Sequence, residues 1–360
     1  MKACMDLCGR FPRLADALPK LSLASVPTPV RRIDLEVAGR ARRLWVKSDD
    51  ATALPYGGNK VRKLEYLFGR IARGKRGRPL RAVATFGTVG SNHALATAIY
   101  ARRLGYDALC FLAHQTRSAH AGHALRAHLS IGSELVPWVG DYRSRLAIQR
   151  EHLWHRRTAV IPMGGSSWTG SLGFVDAGLE LAAQIGSGAL PAPHRIYLAT
   201  GTMGSAAGLA VGLALARIDA EIHAVRVSPP SICSDDGLKR LMRKICAMLN
   251  RIEPAIDPAV LKHTNVILRQ EFFGPGYAKS TPATDDAIAI AGDQAGLLLE
   301  TTYTGKAMAA VIADSEFCAR RGMRQLFWNT YSSAPLPNDD DANVGSLPDA
   351  FRRYVDSAAE

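Results

Sequence analysis

A lysine that follows a glycine-rich turn is the residue of this chain best suited to carry out chemistry. Lys60 comes after Gly57-Gly58, and Leu64 and Phe68 then recur at the spacing of an amphipathic helix. A lysine at the start of a helix has a fixed position, and surroundings that keep part of its amine neutral make it a nucleophile or a base. An ordinary surface lysine after a turn has the same local sequence, so its assignment depends on the segments that accompany it.

A second segment has the features of an anion site. Residues 87–93, Gly-Thr-Val-Gly-Ser-Asn-His, lie between the apolar run 82–86 and a helical pattern that extends to Arg103. A strand, a glycine turn and a helix N-terminus in this order leave free backbone N–H groups and a helix dipole, which attract a carboxylate. Ser91 and Asn92 add side-chain hydrogen bonds, although both residue types are also common helix caps.

A third segment, residues 195–208, again leads from a strand into a loop of small residues and then a helix. Loops of this kind bind phosphate through backbone N–H groups. The spacing of Gly201, Gly204 and Gly208 is not that of a dinucleotide site, and no acidic residue ends the next strand at 225–227. The chain also has no Gly-Lys-Ser/Thr sequence, which argues against a nucleoside triphosphate.

A late turn completes the set, because Tyr303 and Thr304 stand side by side where a helix begins. Taken alone, this turn would be a plain helix start. A positioned lysine, an anion loop, a phosphate loop and a Tyr-Thr turn together indicate pyridoxal 5′-phosphate chemistry. In that chemistry the cofactor is the electron sink, and the protein supplies position and electrostatics.

The chain resembles the D-cysteine desulfhydrase / 1-aminocyclopropane-1-carboxylate (ACC) deaminase family, within the tryptophan-synthase-β-like fold. The resemblance extends from Pro27 to about Thr330. Five motifs carry it, in this order: Lys47-Ser48-Asp49-Asp50, Gly57-Gly58-Asn59-Lys60, Ser91-Asn92-His93, Gly274-Pro275-Gly276-Tyr277 and Tyr303-Thr304-Gly305-Lys306. The resemblance implies a two-lobed α/β fold (PLP fold type II) with parallel-rich twisted sheets and helices on both faces. It also implies a small inserted domain at 58–173, a large cofactor-binding domain made of 1–57 and 174–360, and a homodimer.

The resemblance also implies roles for individual residues. Lys60 matches the lysine that bonds to the cofactor and later moves the Cα proton of the substrate, and Asn92 matches the partner of the cofactor's phenolic oxygen. Thr304 matches the residue that faces the pyridine nitrogen. The residues that match the phosphate loop are Gly201, Thr202, Met203, Gly204 and Ser205.

On the substrate side, Ser91, Asn92 and His93 match the loop that holds the substrate carboxylate. Tyr277 and Tyr303 match two tyrosines beside the substrate, and with Lys60 and Ser91 they form the expected catalytic set. Trp168 is a further expected substrate contact, with a hydrophobic plug between domains as the alternative.

Two positions favour one reaction over another. ACC deaminases of the family carry Glu where Thr304 stands and Gln where His93 stands, and a neutral hydroxyl at the pyridine nitrogen favours quick β-elimination. We therefore expect a small, D-cysteine-like amino acid to be converted to a 2-oxo acid and ammonia, with ACC deamination or cysteate lysis as alternatives. Met203 stands where the family has glycine and Gly90 where it has glutamine, and Tyr331 is bulkier than the usual turn residue.

Other classes of function have less support. The net charge of +13 suggests nucleic-acid binding as a second class of function, but the basic residues are spread along the chain and form no long tract. A non-catalytic cofactor-binding homologue is a further alternative. The scattered cysteines and histidines suggest no metal site. No apolar run reaches membrane-spanning or signal length, so we expect a cytoplasmic protein and a polar, mobile tail from Pro337 onward.

Overall fold

A computed structural model describes residues 6–74, 79–153, 157–336 and 344–355. Over these ranges the strands are β1 (Val30–Val37), β2 (Arg40–Ser48), β3 (Ala82–Thr88), β4 (Asp107–Ala113), β5 (Glu134–Pro137), β6 (Thr158–Ile161), β7 (Arg195–Thr200), β8 (Glu221–Arg226), β9 (Asn265–Arg269) and β10 (Gln325–Asn329). The α-helices are α1 (Leu7–Arg10), α2 (Pro12–Ala17), α3 (Asn59–Arg73), α4 (Asn92–Arg103), α5 (Ala119–Ser130), α6 (Tyr142–Leu153), α7 (Trp168–Gly186), α8 (Gly204–Ala216), α9 (Asp235–Ile252), α10 (Pro282–Ala295), α11 (Thr304–Arg320) and α12 (Asp349–Arg352).

The larger sheet has the strand order β1-β2-β10-β7-β8-β9. Its strands pair in parallel except for β1 and β2, which form an antiparallel hairpin. Ala38 and Gly39 connect these two strands, and both have positive φ, as a tight two-residue hairpin turn requires. No motif in the sequence had predicted this hairpin.

Helices cover both faces of the larger sheet, as expected. Ile196 and Leu198 of β7 pack in a core with α7, α8 and α9, whereas the intervening Tyr197 and Ala199 pack with α10 and α11. Successive side chains of a strand point to opposite faces, so one apolar strand contributes to both cores. The parallel-rich α/β fold is therefore confirmed.

The smaller sheet has the order β5-β4-β3-β6 and is parallel throughout. Val83 of β3 packs in a core with α3, α4 and α5, and the next residue, Ala84, packs on the other face with the aromatic residues that α6 covers. All four strands lie between residues 82 and 161, inside the expected inserted domain. The boundaries of that domain, 58 and 173, stay a prediction.

Residues 344–355 correct the expectation of a mobile tail. Leu347 and Phe351 lie four residues apart, are almost completely buried, and pack with Tyr354 in the same core as α3, α4 and α5. The acidic run before them hid this apolar pattern. This segment therefore contacts the elements of the smaller sheet, although its position in the chain assigned it to the large domain. Residues 337–343 of the expected tail lie outside the described residues.

No helix within the described ranges is long and apolar enough to cross a membrane.

Candidate functional site

A cavity of about 440 Å³ lies where the strands of both sheets end. It is lined by Thr88 at the end of β3, Ala113 at the end of β4 and Thr200 at the end of β7. Ligands of open parallel sheets bind at these carboxyl ends. The expected site residues that line the cavity are Lys60, Ser91, Asn92, His93, Gly201, Thr202, Met203, Gly204, Ser205, Tyr277, Tyr303 and Thr304.

Lys60 is the second residue of α3, and its position depends on a close approach of two chain segments. Gly58, just before the helix, has φ of 85°, and a Cβ there would lie 2.8 Å from the carbonyl oxygen of Thr330. Only glycine satisfies both conditions. Part of the Lys60 side chain is open to the cavity, yet burial lowers the pKa of its amine to about 8, against the opposing effect of Glu300. A large fraction of this amine is therefore neutral near pH 8.

Lys63 lies one turn further along α3 and is almost completely buried. Its Nζ donates to the carbonyl oxygen of Gly164 at 3.1 Å and to Ser166 Oγ at 3.3 Å. Among the described residues no carboxylate pairs with it. Burial, and then repulsion by Lys60, hold the pKa of Lys63 well below its usual range. A buried ammonium without a counter-ion is costly, so this position is suited to an anionic ligand.

The phosphate-type loop meets Lys63 through Ser166. Ser166 Oγ lies 2.7 Å from Thr202 Oγ1 and accepts a hydrogen bond from the Gly204 backbone N–H at 3.2 Å. Gly204 begins α8, and a Cβ at this position would lie 2.9 Å from Lys63 Nζ. A helix N-terminus and the buried amine of Lys63, whose charged form a bound anion would favour, thus converge beside residues 201–205. These residues fit the phosphate of pyridoxal 5′-phosphate.

Met203 occupies the position before α8 in a left-handed conformation, with φ of 65°. This conformation costs a non-glycine residue about 1–2 kcal/mol, which explains why glycine would be usual there. The Met203 side chain packs near Gly237 at the start of α9. The backbone therefore keeps the geometry of a glycine loop despite the substitution.

The three residues of the Ser91-Asn92-His93 motif make three different interactions. Ser91 caps α4, since its Oγ accepts a hydrogen bond from the Ala94 N–H at 3.2 Å. Asn92 Oδ1 accepts a hydrogen bond from the buried Tyr56 hydroxyl at 3.3 Å. His93 Nε2 lies 3.0 Å from Thr85 Oγ1, and burial, followed by Lys60 and Lys63, lowers the pKa of its imidazole well below the usual value. His93 is therefore a neutral group at physiological pH.

Two tyrosines form one wall of the cavity. The hydroxyls of Tyr277 and Tyr303 lie 2.5 Å apart, and the Tyr277 hydroxyl is also 3.4 Å from Thr88 Oγ1 at the end of β3. Burial raises the pKa of both tyrosines above the ordinary value. Both hydroxyls therefore keep their protons and can donate hydrogen bonds or a proton.

Thr304 is held by Glu300, a cavity residue that the sequence analysis did not select. The Glu300 carboxylate accepts hydrogen bonds from the N–H groups of Thr302, Tyr303 and Thr304 at 2.8–2.9 Å, and it lies 3.3 Å from Thr304 Oγ1. These contacts satisfy the free N–H groups at the start of α11. The carboxylate thus fixes the Tyr303-Thr304 turn. In the sequence, an acidic residue four positions before Thr304 could have indicated this role for Glu300.

Trp168 does not lie where a substrate contact was expected. It begins α7 and packs against the large core of α7, α8 and α9, and it is not among the cavity residues. This position does not support a substrate contact, and the alternative of a hydrophobic plug between domains stays a prediction. The cavity lining also includes polar and aromatic residues that were not expected as site residues, among them Tyr56, Lys63, His114, Trp138, Arg145, Glu300 and Tyr331.

The chain is similar to known proteins over most of its length. A family model described as a pyridoxal-phosphate dependent enzyme matches residues 21–322. The chain is 31% identical to a nocardicin C-9′ epimerase of Nocardia uniformis subsp. tsuyamanensis over 94% of this chain and 99% of that protein. It is 32% identical to a D-cysteine desulfhydrase of Klebsiella pneumoniae (strain 342) over 82% and 88% of the two chains.

Solved structures give the same result for the fold. An ACC deaminase homologue superposes with a TM-score of 0.69 at 25% identity, over 89% of this chain and 94% of that one. A serine racemase of Dictyostelium discoideum superposes with a TM-score of 0.55 at 15% identity, over 86% and 92% of the two chains. The second likeness concerns the fold alone.

Proposed function

The chain belongs to the pyridoxal-phosphate-dependent enzyme family, and from this premise we propose that it is a lyase acting on a small, D-cysteine-like amino acid. For D-cysteine, the products are pyruvate, hydrogen sulfide and ammonia, with one water consumed. The observation that carries the proposal is the Lys60 amine, with its lowered pKa, in the same cavity as an anion loop, a phosphate loop and two protonated tyrosines.

The cofactor contacts we propose follow from the chemistry of each group. Lys60 holds the cofactor's aldehyde carbon, and Lys63 with the backbone of residues 201–205 holds the phosphate. Asn92 takes the phenolic oxygen and Thr304 faces the pyridine nitrogen. When bound, the cofactor supplies an electron sink for the electron pair left at Cα.

The proton transfers in our proposal belong to the side chains. Lys60, once freed by the incoming amino group, removes the Cα proton, for which a pKa of about 8 is well matched to neutral pH. The N–H groups at the start of α4, after Ser91, hold the substrate carboxylate. Tyr277 or Tyr303 donates a proton to the group that departs from Cβ, since both retain their hydroxyl protons.

Epimerisation is a second candidate, favoured by the similarity to an epimerase over nearly the whole of both chains. It shares the first step, removal of the Cα proton by Lys60. The proton then returns to the opposite side of Cα, and the hydroxyls of Ser91 and Tyr277 line the cavity as candidate donors. ACC deamination and cysteate lysis remain alternatives for the substrate.

The test is to supply D-cysteine, L-cysteine, cysteate and ACC in turn to the purified holoenzyme and to measure 2-oxo acid and ammonia. Release from D-cysteine that is lost in Lys60→Ala and kept in Lys239→Ala, a change at an exposed lysine of α9, supports the proposal. Product from ACC alone would replace it with the deaminase alternative. Exchange of the Cα hydrogen for deuterium in D₂O, without 2-oxo acid, would favour epimerisation. No reaction with any of these substrates would count against the lyase.

We also propose a cytoplasmic homodimer. The described cysteines, Cys8, Cys110, Cys233, Cys246 and Cys318, are free thiols, which suits a reducing compartment. The dimer rests on the family resemblance alone. The mass of the holoenzyme in solution, measured by light scattering, tests it.

A further inference from the structure

The cavity extends past the Lys60 region along the edge of the smaller sheet. Its lining includes His114, directly after β4, Trp138, directly after β5, and Arg145 on α6. The strand order β5-β4-β3 sets these strand ends side by side, with β5 furthest from the Ser91 loop that follows β3. We call His114, Trp138 and Arg145 the β5 arm of the cavity.

The guanidinium of Arg145 is held in position by Trp138. It lies over the indole, 5.0 Å from the ring centroid, and Trp138 Nε1 donates to the carbonyl oxygen of Arg145 at 3.3 Å. Trp138 is itself fixed by Phe86, with ring centroids 5.0 Å apart. A stacked guanidinium has already lost much of its rotational freedom, so a ligand that binds it loses less conformational entropy.

The charge of Arg145 has no counter-ion within the described ranges. No carboxylate there pairs with it, and its Nε is buried without a hydrogen-bond partner. Asp141 accepts two hydrogen bonds from Ser144, and Glu134 lies 3.4 Å from His152. Glu151, six residues further along α6, forms no ion pair with Arg145. Glu300, which also lines the cavity, already accepts hydrogen bonds from backbone N–H groups at the start of α11.

We propose that Arg145 binds a second oxyanion, a carboxylate or a sulfonate, at the end of the substrate's side chain, whose carbon atoms pack against Trp138. Arginine matches such groups with two parallel N–H donors. The inference deepens the proposed function and rests on it, because the α-amino acid end of the same molecule lies at Lys60. Among the substrates considered above, it favours an amino acid with an anionic side chain, such as cysteate, over D-cysteine, whose thiol is mostly neutral at physiological pH.

The test compares ligands of similar length whose side chains end in a carboxylate, a sulfonate or a neutral amide. Glutamate, glutamine and homocysteate, each as both enantiomers, have no leaving group on Cβ, so their binding to the holoenzyme is measured by titration calorimetry. We expect glutamate or homocysteate of one enantiomer to bind at least about tenfold more tightly than glutamine, the worth of one charged hydrogen bond. Arg145→Gln should abolish this preference, and Arg145→Lys should keep part of it.

Arg150→Gln is the matched control, because Arg150 is exposed on the same helix and is not a cavity residue. It removes the same charge and should leave the preference intact. Equal binding of all three ligands to the wild type, or a preference that survives Arg145→Gln, would overturn the inference. If no substrate yields a 2-oxo acid but the anionic ligands still bind more tightly than glutamine, the proposed reaction is wrong and the role of Arg145 stands. If D-cysteine yields a 2-oxo acid but the anionic ligands bind no more tightly than glutamine, the proposed reaction stands and the role of Arg145 is wrong.

Discussion

At the scale of single residues, two lysines one turn apart on α3 have different environments. Lys60 is partly open to the cavity, whereas Lys63 is enclosed between Gly164 and Ser166. Burial lowers the pKa of both amines. A neutral amine suits the bond to an aldehyde and the removal of a proton. A phosphate bound beside Lys63 would supply the missing counter-ion and favour the protonated form of its amine. The same helix can therefore supply both functions.

The first prediction concerns Lys63→Met. Loss of the Lys63 amine should weaken binding of pyridoxal 5′-phosphate to the apoenzyme at least about tenfold, because the contact that this amine makes to the phosphate, once protonated beside it, is removed. Titration of the apoenzyme with the cofactor, followed by the visible absorption of the complex, measures the affinity. Lys239→Met, at an exposed position, is the control. An unchanged affinity in Lys63→Met would mean that this lysine does not hold the phosphate.

At the scale of elements, the packing of α7 against α8 depends on glycine. A Cβ on Gly208 would lie 2.2 Å from the carbonyl oxygen of Ser171, and one on Gly212 would lie 2.3 Å from that of Val175. The two helix backbones are therefore nearly in contact. Because α8 begins at Gly204, this close packing sets the position of the phosphate loop relative to the rest of the sheet.

The second prediction compares two glycine-to-alanine changes. Gly212→Ala should lower the free energy of unfolding by about 1–3 kcal/mol, because the added methyl group forces the helices apart. Gly186→Ala lies at the exposed end of α7 with open space around it, and should raise the free energy by up to about 1 kcal/mol. Urea unfolding of the two apoenzymes measures both. An equal effect of the two changes would contradict the role given to the α7–α8 contact.

Elements with continuous apolar runs were predictable from the sequence. The apolar run 82–86 and the strand expected at the start of residues 195–208 became β3 and β7, each buried along most of its length. The β1 strand escaped notice because its exposed face carries charged side chains, so its burial alternates along the strand. Short-range patterns identify buried strands more easily than strands with one exposed face.

The candidate site divides in a similar way. The motifs around Lys60, Ser91 and Tyr303 were visible because their residues are neighbours in the chain. Lys63 and Arg145 gain their significance only from contacts that folding creates, such as the contact of Lys63 with Ser166, 103 residues away. The roles of all these residues stay predictions until they are tested.

At the scale of the whole molecule, a buried ionic network connects the larger sheet to α3, the helix that carries Lys60, and to α7. Arg62 of α3 donates to Asp49 at 2.8 Å and to Glu180 of α7 at 2.9 Å, and Lys47 of β2 also pairs with Glu180. Burial alone would raise the pKa of Glu180, but Arg62 and Lys47 outweigh it and hold the pKa at about 2. The network therefore requires an ionised Glu180.

The third prediction concerns Glu180→Gln. Removing one partner of a buried ionic network should lower the free energy of unfolding by about 3–5 kcal/mol at neutral pH. Since the pKa of Glu180 is lower in the folded chain, its contribution is complete above its ordinary value of 4.5 and is lost as the pH falls towards 2. The difference between wild type and variant, measured by urea unfolding, should therefore narrow over this interval.

Glu316→Gln is the control for this prediction, because Glu316 pairs with Arg40, Arg42 and Arg320 at the surface. Solvent-exposed pairs contribute little to stability, so this change should have a small effect. Two results would contradict this account of the network. One is an equal loss of free energy of unfolding in Glu316→Gln and Glu180→Gln. The other is a difference between wild type and Glu180→Gln that does not change between pH 4.5 and pH 2.

The most direct test of the central claim is to find which lysine holds the cofactor. The holoenzyme is treated with borohydride, which makes the bond between cofactor and lysine permanent, and the modified residue is identified by peptide mass spectrometry. We predict modification at Lys60 and none at Lys63, with no stable label in Lys60→Ala. A label on Lys63 or on any other lysine, or no label on a protein that has bound the cofactor, would contradict the assignment of Lys60.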